Sequence, residues 1–447
     1  MRYFSRFNRF NTMLVMIIGI VIQQKAPFAA DCPCDIYSTG GTPCVAAYST
    51  VRTLSSTYTG PLYQVRLKSD TSKTKDIYAL TAGGVANSAA QDSFLGTAAG
   101  TISKLYDQSG KGNHLIKAPK GCYTGTAAQA DNESNAKGKS FYINGHKVYA
   151  LYMIVQDGYR NNTTTGMPTG SAAQGIYEIV DGKNGGCCCC WDFGNASINN
   201  CNGGTGLMNT LFFGTGYWGK GTGNGPWFLA DLENGVWAGG SGGSGEKNSS
   251  NPTMAVDYAF GILKTNSTNY AIRAADAQSG SLTTAYDGNL PTSLTWSMKG
   301  GIVLGIGGDN SNSSYGTFFE GVITSGRPTN AVDTLILKNV QAAGYGKTTT
   351  SVWYNNKDVA PTPLFKINYN PSMAKAVINY SLPYSRHIVM NVFNQQGKQV
   401  ARLVDGVIPT GRYQMVWDTK RIPAGVYVVN TTMNDHSGWS DKIIIRK

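Results

Sequence analysis

The run Trp227-Phe-Leu-Ala-Asp-Leu-Glu233 predicts a β-strand that carries two carboxylates on one face. Side chains alternate between the two faces of a strand, which places Asp231 and Glu233 on the same face as Trp227. Two such acids repel each other and lose solvation if the face is covered, but a wet concave face tolerates them and separates their pKa values. The pattern therefore leaves two interpretations open: an exposed strand with two solvated acids, or a cleft built for carboxylate chemistry.

Short β-rich runs of this kind, separated by turns rich in Gly, Asn, Ser and Thr, continue from Asp31 to about Lys347. Helical periodicity is scarce there, and its best example covers Asp333 to Ala343. Many short strands with regular turn signals are typical of a β-sandwich, and one of about 300 residues can bury a sizeable core. We therefore predict an all-β domain over 31–347, whose clearest further strands are Ala150-Leu-Tyr-Met-Ile-Val155, Tyr270-Ala-Ile-Arg273 and Gly301-Ile-Val-Leu-Gly-Ile306.

A second β unit is predicted after a polar linker. Residues 348–363 contain a Thr run and Pro361-Thr-Pro363, which indicate a connection rather than a strand. Residues 364–447 then alternate strands and Gly-containing turns, which predicts a small immunoglobulin-like β-sandwich. Its predicted strands are Ala376-Val-Ile-Asn-Tyr-Ser-Leu382, Ile388-Val-Met-Asn-Val-Phe393, Tyr413-Gln-Met-Val-Trp417, Gly425-Val-Tyr-Val-Val429 and Lys442-Ile-Ile-Ile445.

The first 30 residues have the pattern of a secretory signal peptide. Arg2, Arg6 and Arg9 precede the apolar core Met13-Leu-Val-Met-Ile-Ile-Gly-Ile-Val-Ile22, and small residues follow it. This core is short for a membrane span, so we predict cleavage and export. No other stretch of the sequence is long and apolar enough to predict a span.

The net charge of +12 does not indicate nucleic-acid binding once it is divided along the chain. Residues 1–30 contribute +4 and residues 364–447 contribute +7, which leaves +1 for the large region between them. A near-neutral body does not attract a polyanion, so nucleic acid is disfavoured as a partner.

Histidine and cysteine usage restricts the chemistry of the large domain. Two of the four histidines, His387 and His436, lie in the C-terminal unit, which leaves little material for a Ser-His-Asp triad or a His-rich metal site. Nine cysteines in an exported chain indicate disulfides rather than zinc ligands. The run Cys187-Cys-Cys-Cys190 cannot converge tetrahedrally on one metal, but adjacent cysteines can close a vicinal disulfide. Hydrolytic chemistry here is expected to use carboxylates, without a metal or an organic cofactor.

A further candidate carboxylate lies in Gly305-Ile-Gly-Gly-Asp309-Asn-Ser-Asn312. An apolar strand ends there in two glycines that allow close approach of a ligand, which presents Asp309 at the strand end. The alternatives are an Asx-type turn and a loose calcium loop. Glu320, in Thr317-Phe-Phe-Glu-Gly-Val322, is a third acid, and we interpret it as structural.

Eight motifs in order carry a family resemblance: Cys34-Asp-Ile-Tyr37 with Thr42-Pro-Cys-Val-Ala-Ala47, Leu80-Thr-Ala-Gly-Gly-Val-Ala86, Tyr106-Asp-Gln-Ser-Gly-Lys-Gly-Asn-His-Leu115, Gly158-Tyr-Arg-Asn-Asn162, Cys189-Cys-Trp-Asp-Phe-Gly-Asn-Ala196, Gly225-Pro-Trp-Phe-Leu-Ala-Asp-Leu-Glu-Asn234, Gly305-Ile-Gly-Gly-Asp-Asn-Ser-Asn312 and Gly316-Thr-Phe-Phe-Glu-Gly-Val-Ile-Thr-Ser-Gly326. Over residues 32–346 the chain resembles the catalytic domain of family 54 glycoside hydrolases, which are α-L-arabinofuranosidases. The resemblance implies a concanavalin-like β-sandwich and hydrolysis with retention of anomeric configuration.

The resemblance also implies a role for each matching residue. The nucleophile falls on Glu233 and the general acid/base on Asp309. The implied substrate-binding residues are Asp231, Asn234, Trp218, Gly308, Cys189 and Cys190. The implied disulfides are Cys34–Cys44 and Cys189–Cys190.

The chain departs from the family pattern among its cysteines and after the catalytic domain. The family's second short disulfide has no counterpart here, and Cys187 and Cys188 leave the register of the vicinal pair open. Cys32, Cys122 and Cys201 receive no partner from the resemblance. The fungal enzymes carry an arabinose-binding β-trefoil, which a different module replaces here.

That module resembles the sorting domains of type IX (Por) secretion in Bacteroidetes, on the basis of Val392-Phe393-Asn394, Gly397, Gly411, Trp417-Asp418, Ala424-Gly425-Val426-Tyr427 and Lys442-Ile-Ile-Ile-Arg-Lys447. The resemblance implies contact with the bacterial secretion machinery; the alternative is an accessory module that only spaces or docks.

Together these features predict a secreted or cell-surface bacterial enzyme that removes arabinofuranosyl side chains from arabinoxylan or arabinan. A β-xylosidase using the same site and a non-catalytic lectin on the same scaffold are the alternatives.

Overall fold

The computed structural model describes residues 31–123, 129–186, 188–201, 203–216, 219–347, 365–371, 374–382, 386–408, 411–433 and 438–446. The predicted signal peptide, 1–30, and the predicted linker, 348–363, lie outside these residues, as do Trp218 and Cys187. Residues 31–347 and 365–446 have separate hydrophobic cores.

The first unit is a β-sandwich, as predicted. Its described strands are β1 (Cys44–Ser49), β2 (Tyr63–Leu67), β3 (Thr74–Ile77), β4 (Gly100–Leu105), β5 (Leu115–Lys117), β6 (Asn135–Ile143), β7 (His146–Met153), β8 (Tyr159–Asn161), β9 (Gln174–Val180), β10 (Asp192–Ala196), β11 (Asn209–Gly214), β12 (Trp227–Asp231), β13 (Val236–Trp237), β14 (Ala259–Thr265), β15 (Asn269–Asp276), β16 (Ser279–Asn289), β17 (Gly301–Leu304) and β18 (Gly316–Ser325).

Antiparallel pairing arranges these strands in two layers. One layer has the order β16-β15-β14-β9-β18-β1. The other has the order β13-β12-β11-β10-β17-β8-β5. Pairings through β4, β6 and β7 connect β5 of the second layer back to β18 of the first. The layers therefore belong to one hydrogen-bonded network, with β12 and β17 in the same layer.

The two layers pack closely through small residues that face aromatic ones. A Cβ atom at Gly261 on β14 would overlap the ring of Phe228 on β12. Phe228 is fully buried and packs against Phe213 on β11, with ring centroids 4.6 Å apart. Burial of one such ring contributes roughly 1.5–3 kcal/mol, so this contact holds β12 firmly against the opposite layer.

The unit also has three helices, α1 (Pro33–Thr39), α2 (Ser88–Leu95) and α3 (Asn330–Ala343). Two buried ionic clusters connect the sandwich to α3: Arg52 of the first donates to Asn339 at 2.9 Å, and Asp333 of the second belongs to the helix. Glu320 on β18 accepts two hydrogen bonds of 2.6 Å from Arg52, and it is fully buried. This pair confirms the structural interpretation of Glu320. Asp333 on α3 accepts hydrogen bonds from Lys264 at 2.6 Å and from Arg273 at 2.8 Å.

Helix α3 is the helix that the sequence predicts from Asp333, but it begins three residues earlier. Thr329 precedes it, and its hydroxyl accepts a hydrogen bond from the Val332 amide at 3.3 Å. This N-cap satisfies an amide that the helix itself leaves unpaired. The helix ends at Ala343, and Gly344 follows it with a φ of +77°, the left-handed conformation common after helix C-termini.

The C-terminal unit is a second β-sandwich. A three-stranded sheet contains β19 (Phe365–Asn370), β20 (Lys375–Leu382) and β23 (Gly411–Asp418) in that order. A four-stranded sheet has the order β22 (Gln399–Ile408), β21 (Arg386–Asn394), β24 (Gly425–Met433) and β25 (Gly438–Ile445). Ile378, Val392 and Val429 are fully buried in a common core.

The sequence prediction for this unit missed β19 and β22. Both carry charged side chains that interrupt the apolar pattern: Lys366 on β19, and Arg402 and Asp405 on β22. On β22, Arg402 and Asp405 are exposed and pair with each other at 2.7 Å. The five predicted strands correspond to β20, β21, β23, β24 and β25.

Candidate active site

Strand β12 delivers the first two acids to the site, but not as strand alternation predicts. The strand ends at Asp231, and Glu233 lies beyond it with a φ of +64°. The predicted strand to Glu233 is therefore wrong at its end. A turn brings the two acids together, because the Glu233 amide donates a 3.0 Å hydrogen bond to Asp231 Oδ1. Both side chains are buried, so the solvated-acid interpretation is also wrong.

Asp309 reaches the same place from the loop after β17. This strand ends at Leu304, two residues before the predicted end, and Gly307 and Gly308 lie in the loop. Asp309 Oδ1 accepts a 2.9 Å hydrogen bond from the Ser311 amide, which is the predicted Asx-type alternative. The turn and the site coexist here, since the turn fixes the carboxyl group at the edge of a cavity.

A cavity of about 230 Å³ is lined by seven of the eight residues that the family resemblance implies for catalysis and substrate binding. It is lined by Cys189, Cys190, Met208, Asp231, Glu233, Asn234, Gly235, Val236, Ser244, Gly307, Gly308, Asp309 and Ser311. The eighth, Trp218, lies outside the described residues. The cavity has the size of a single sugar unit rather than of a polymer.

Gly308 allows the two halves of the site to approach each other. A Cβ atom there would lie 3.0 Å from Glu233 Oε2 and 2.7 Å from the Met208 sulfur. Real Cβ atoms do not tolerate the second distance, so any side chain would displace a neighbour. Glycine at this position therefore places Glu233 directly beside the residue that precedes Asp309.

The vicinal pair forms one wall of the cavity. Cys189 and Cys190 are joined by a disulfide across a cis peptide bond, and Cys34 is joined to Cys44, so both implied pairings are present. The hydroxyl of Ser311 lies 3.2 Å from the Cys189 sulfur. The disulfide surface therefore lies against the loop that carries Asp309.

Buried carboxyl groups surround the base of the site. Burial raises the pKa of Asp231 to about 7; the Glu233 amide opposes this, and the charge of Asp309 adds to it. Behind Asp231, Asp192 is fully buried, and burial followed by the charge of Asp231 raises its pKa well above the usual range. Thr210 donates a 3.0 Å hydrogen bond to Asp192. These environments favour the protonated form of the deeper acid.

Arg160 on β8 contacts the site from below, and the sequence prediction did not include it. It is buried, and its guanidinium donates to Gly308 O and Asn310 Oδ1, both at 2.9 Å. Its remaining bonds go to both oxygens of Ser197, at 2.6 and 2.8 Å, and to Asn162. The sequence feature that could have indicated Arg160 is its position in the family motif Gly158-Tyr-Arg-Asn-Asn162. Arg160 therefore supports the Asp309 loop from below.

One group of side chains among the described residues has metal-ligand geometry, and it differs from the calcium loop that the sequence around Asp309 left open. It consists of Cys190, Asp192 and Asp231, whose ligand atoms lie within 4.8 Å of one another. The sulfur of Cys190 is already bound in the disulfide, and Asp309 does not belong to the group. The residues therefore fit a protonated carboxyl cluster better than a cation site.

Comparison with known proteins identifies the family of the first unit. Residues 33–346 match the family model "Alpha-L-arabinofuranosidase B, catalytic". The chain belongs to this family. The arabinofuranosidase B proteins of Aspergillus clavatus and Aspergillus oryzae are 46% and 45% identical to it, over 75% and 73% of this chain. A Trichoderma koningii protein named "Arabinofuranosidase/B-xylosidase" is 46% identical over 70% of this chain.

The match to these arabinofuranosidase B relatives is partial in length. The chain spans 66%, 65% and 63% of the three relatives, which is slightly less than two thirds of each. In the C-terminal unit, residues 367–446 match a separate family model, "Secretion system C-terminal sorting domain". Among the described residues, no helix has the length and apolar character needed to cross a membrane.

Solved structures of the arabinofuranosidase family resemble this fold. A GH54 α-L-arabinofuranosidase soaked with a cyclic sulfate inhibitor gives a TM-score of 0.68 at 37% identity, covering 87% of this chain and 75% of the other. An arabinofuranosidase complexed with arabinofuranosyl-α-1,2-xylobiose gives 0.68 at 36%, covering 87% and 74%. The sandwich fold is therefore shared with solved structures of this family.

Proposed function

We propose that this protein is a retaining α-L-arabinofuranosidase, with Glu233 as nucleophile and Asp309 as general acid/base. The observation that carries the proposal is the cavity itself: Glu233 and Asp309 line one sugar-sized cavity, and the glycine between them permits their approach. Two carboxyl groups on opposite sides of a glycosidic bond are what glycoside hydrolysis requires.

In the first step, Glu233 attacks the anomeric carbon of a terminal arabinofuranosyl unit. The bond from that carbon to the glycosidic oxygen breaks, and Asp309 gives its proton to the departing oxygen. In the second step, Asp309 takes a proton from water, and the resulting oxygen nucleophile displaces Glu233 from the sugar. Arabinose leaves with its original anomeric configuration, and both acids return to their starting forms.

The remaining residues of the cavity are proposed to bind the sugar. Asp231 and Asn234 offer polar atoms to its hydroxyl groups, and Gly308 leaves room for the ring. The Cys189–Cys190 disulfide offers a rigid apolar surface to the carbon face of the sugar. Trp218 is proposed as an aromatic wall on the family resemblance alone.

The proposed substrates are arabinofuranosyl side chains of arabinoxylan and arabinan. The family relative complexed with arabinofuranosyl-α-1,2-xylobiose supports the arabinoxylan part, because that ligand joins arabinose to a xylose backbone. The cavity accommodates one sugar unit, which favours release of terminal residues over cleavage within a polymer. Both chemical roles belong to carboxylates, so the proposed mechanism uses no metal.

The test is hydrolysis of an aryl α-L-arabinofuranoside by the full chain and by Glu233→Ala. We expect activity in the first and a loss of several orders of magnitude in the second, because no covalent intermediate can form. Asp70→Ala is the matched control, since Asp70 begins a surface turn, its side chain is 42% exposed, and it does not line the cavity. Proton NMR of the first product should show the retained anomer.

Two outcomes would contradict the proposal. Binding of arabinan by the wild-type chain without release of arabinose would support the lectin alternative. Faster cleavage of an aryl β-xyloside than of the arabinofuranoside would support the β-xylosidase alternative.

We further propose that residues 1–30 are a signal peptide and that residues 364–447 direct the protein through type IX secretion to the outside of a bacterial cell. The match of residues 367–446 to the sorting-domain model supports this. Deletion of residues 364–447 should leave hydrolysis unchanged and abolish export in the native host. Unchanged export of the truncated chain would reject the sorting role.

A further inference from the structure

We propose that the segments 119–123 and 197–201, joined by the Cys122–Cys201 disulfide, form a clamp that positions the carboxyl group of Asp309 for proton transfer. The inference rests on the proposed role of Asp309. The resemblance to family 54 assigns neither cysteine a partner, whereas the structure pairs them across 79 residues of sequence.

The clamp, meaning residues 119–123 and 197–201, contacts three successive residues of the Asp309 loop. The Tyr123 amide donates a 3.0 Å hydrogen bond to the Asp309 carbonyl oxygen. The Asn310 side chain donates to the Pro119 carbonyl oxygen. On the other side, the Ser197 hydroxyl donates a 3.2 Å hydrogen bond to the Gly308 carbonyl oxygen. The loop is thus held from both segments.

The disulfide is supported by hydrogen bonds between the two segments themselves. The Cys122 amide donates to the Asn200 carbonyl oxygen at 2.9 Å. The Asn200 side chain donates to the Lys120 carbonyl oxygen at 3.3 Å and accepts from Asn162 at 2.6 Å. Cross-linking the segments therefore fixes the spacing between the Tyr123 and Ser197 contacts.

Gly121 shows how tightly the clamp fits the loop. A Cβ atom there would overlap the Asp309 carbonyl oxygen and would lie 2.7 Å from both the Asn200 carbonyl oxygen and the Asn310 Cβ. Two of these three neighbours are backbone atoms, which cannot rotate away as a flexible side chain can. A methyl group at residue 121 would therefore push the backbone of Asp309 out of place.

The consequence concerns proton transfer more than binding. A general acid must lie within hydrogen-bonding distance of the departing oxygen, and small displacements lower its rate steeply. Residues of the clamp line no part of the sugar cavity. Tyr123, Cys122 and Ser197 are therefore positioning residues that act through Asp309.

The experiment compares two substrates with the Cys122→Ser/Cys201→Ser variant of the full chain. A nitrophenyl α-L-arabinofuranoside releases a stable anion and needs little protonation, whereas the methyl arabinofuranoside must be protonated to leave. We expect kcat/KM to fall about tenfold or more for the methyl substrate and less than about threefold for the nitrophenyl substrate. Gly121→Ala, which keeps the disulfide, should show the same selective loss.

Cys34→Ser/Cys44→Ser is the matched control, because that disulfide joins α1 to β1 and does not touch the loop. Any loss in this control should be equal for the two substrates. Equal losses for both substrates in the Cys122→Ser/Cys201→Ser variant, or no loss, would overturn the clamp. The Asp309→Ala variant distinguishes failure of the clamp from failure of the proposed function. If Asp309→Ala shows no selective loss of activity on the methyl substrate, the assignment of Asp309 as general acid/base is wrong.

Discussion

Asp231→Asn should change how stability depends on pH, because Asp231 is an acid held in a place that disfavours its charge. The side chain is buried at the end of β12, beside the buried Asp192. Burial raises the pKa of Asp231 from 3.8 to about 7. One amide, that of Glu233, donates to it and offsets this only in part.

The sign follows from proton binding in the two states. The unfolded chain releases the Asp231 proton near pH 3.8, while the folded chain retains it to about pH 7. Between these values the folded state binds more protons, so the free energy of unfolding falls as pH rises. At about 1.36 kcal/mol per pH unit, the loss is roughly 4 kcal/mol across the window. Asparagine does not ionise and should not show this loss.

The assay is urea unfolding of the wild type and of Asp231→Asn at intervals from about pH 4 to about pH 8. The difference in unfolding free energy between the two proteins should move in favour of the variant by roughly 4 kcal/mol over that range. Asp70→Asn is the control: Asp70 is exposed, and hydrogen bonds from Ser72 lower its pKa, so its difference should be small and run in the opposite direction. A wild-type-to-Asp231→Asn difference that is constant with pH would refute the reasoning.

Three further outcomes are expected. Arg52→Met should lower the free energy of unfolding by about 3–5 kcal/mol, because it leaves the buried Glu320 carboxylate without a counter-charge. In the same urea titration, Arg52→Met/Glu320→Gln should recover part of the lost free energy. Non-reducing peptide mapping should find Cys189 linked to Cys190. Cys189→Ser/Cys190→Ser should raise KM several-fold. Its Tm should change little, because a bond between adjacent residues closes no long loop. Gly308→Ala should reduce kcat/KM at least about tenfold without lowering the urea midpoint, because its Cβ would overlap the Met208 sulfur and press against Glu233 Oε2.

The strand pattern and turn signals were enough to predict the sandwich architecture, because they depend on the local sequence. The same local reasoning failed at Glu233. Strand alternation correctly placed Glu233 beside Asp231, but Glu233 does not belong to the strand. A positive φ at Glu233 and Asn234 turns the chain immediately after Asp231, and neither residue is a glycine that would have signalled it. The acids meet through a turn and a hydrogen bond rather than through a shared strand face.

Contacts between residues far apart in the chain could not be predicted from the sequence, for a different reason. Arg160 and the Cys122–Cys201 pair act on Asp309 from positions about 110 to 190 residues away, and no local pattern encodes that contact. The Cys34–Cys44 pairing and the assignment of the vicinal disulfide to Cys189–Cys190 could be expected only from the family resemblance. Strands β19 and β22 were missed because charged side chains, such as Lys366 on β19 and Arg402 on β22, interrupt their apolar alternation.

Arg160, the arginine beneath the site in the described part of the chain, is hydrogen-bonded only to uncharged groups. Arg160 donates to carbonyl, hydroxyl and amide oxygens and to no carboxylate. Burial lowers its pKa to about 10, which still leaves it protonated at neutral pH, and Asp309 and Glu233 are among the acids that favour its charge. A direct ion pair would have bound one of these acids in place. By holding the cation under the loop instead, the fold can stabilise negative charge at the site while the proposed nucleophile and acid/base remain available to the substrate.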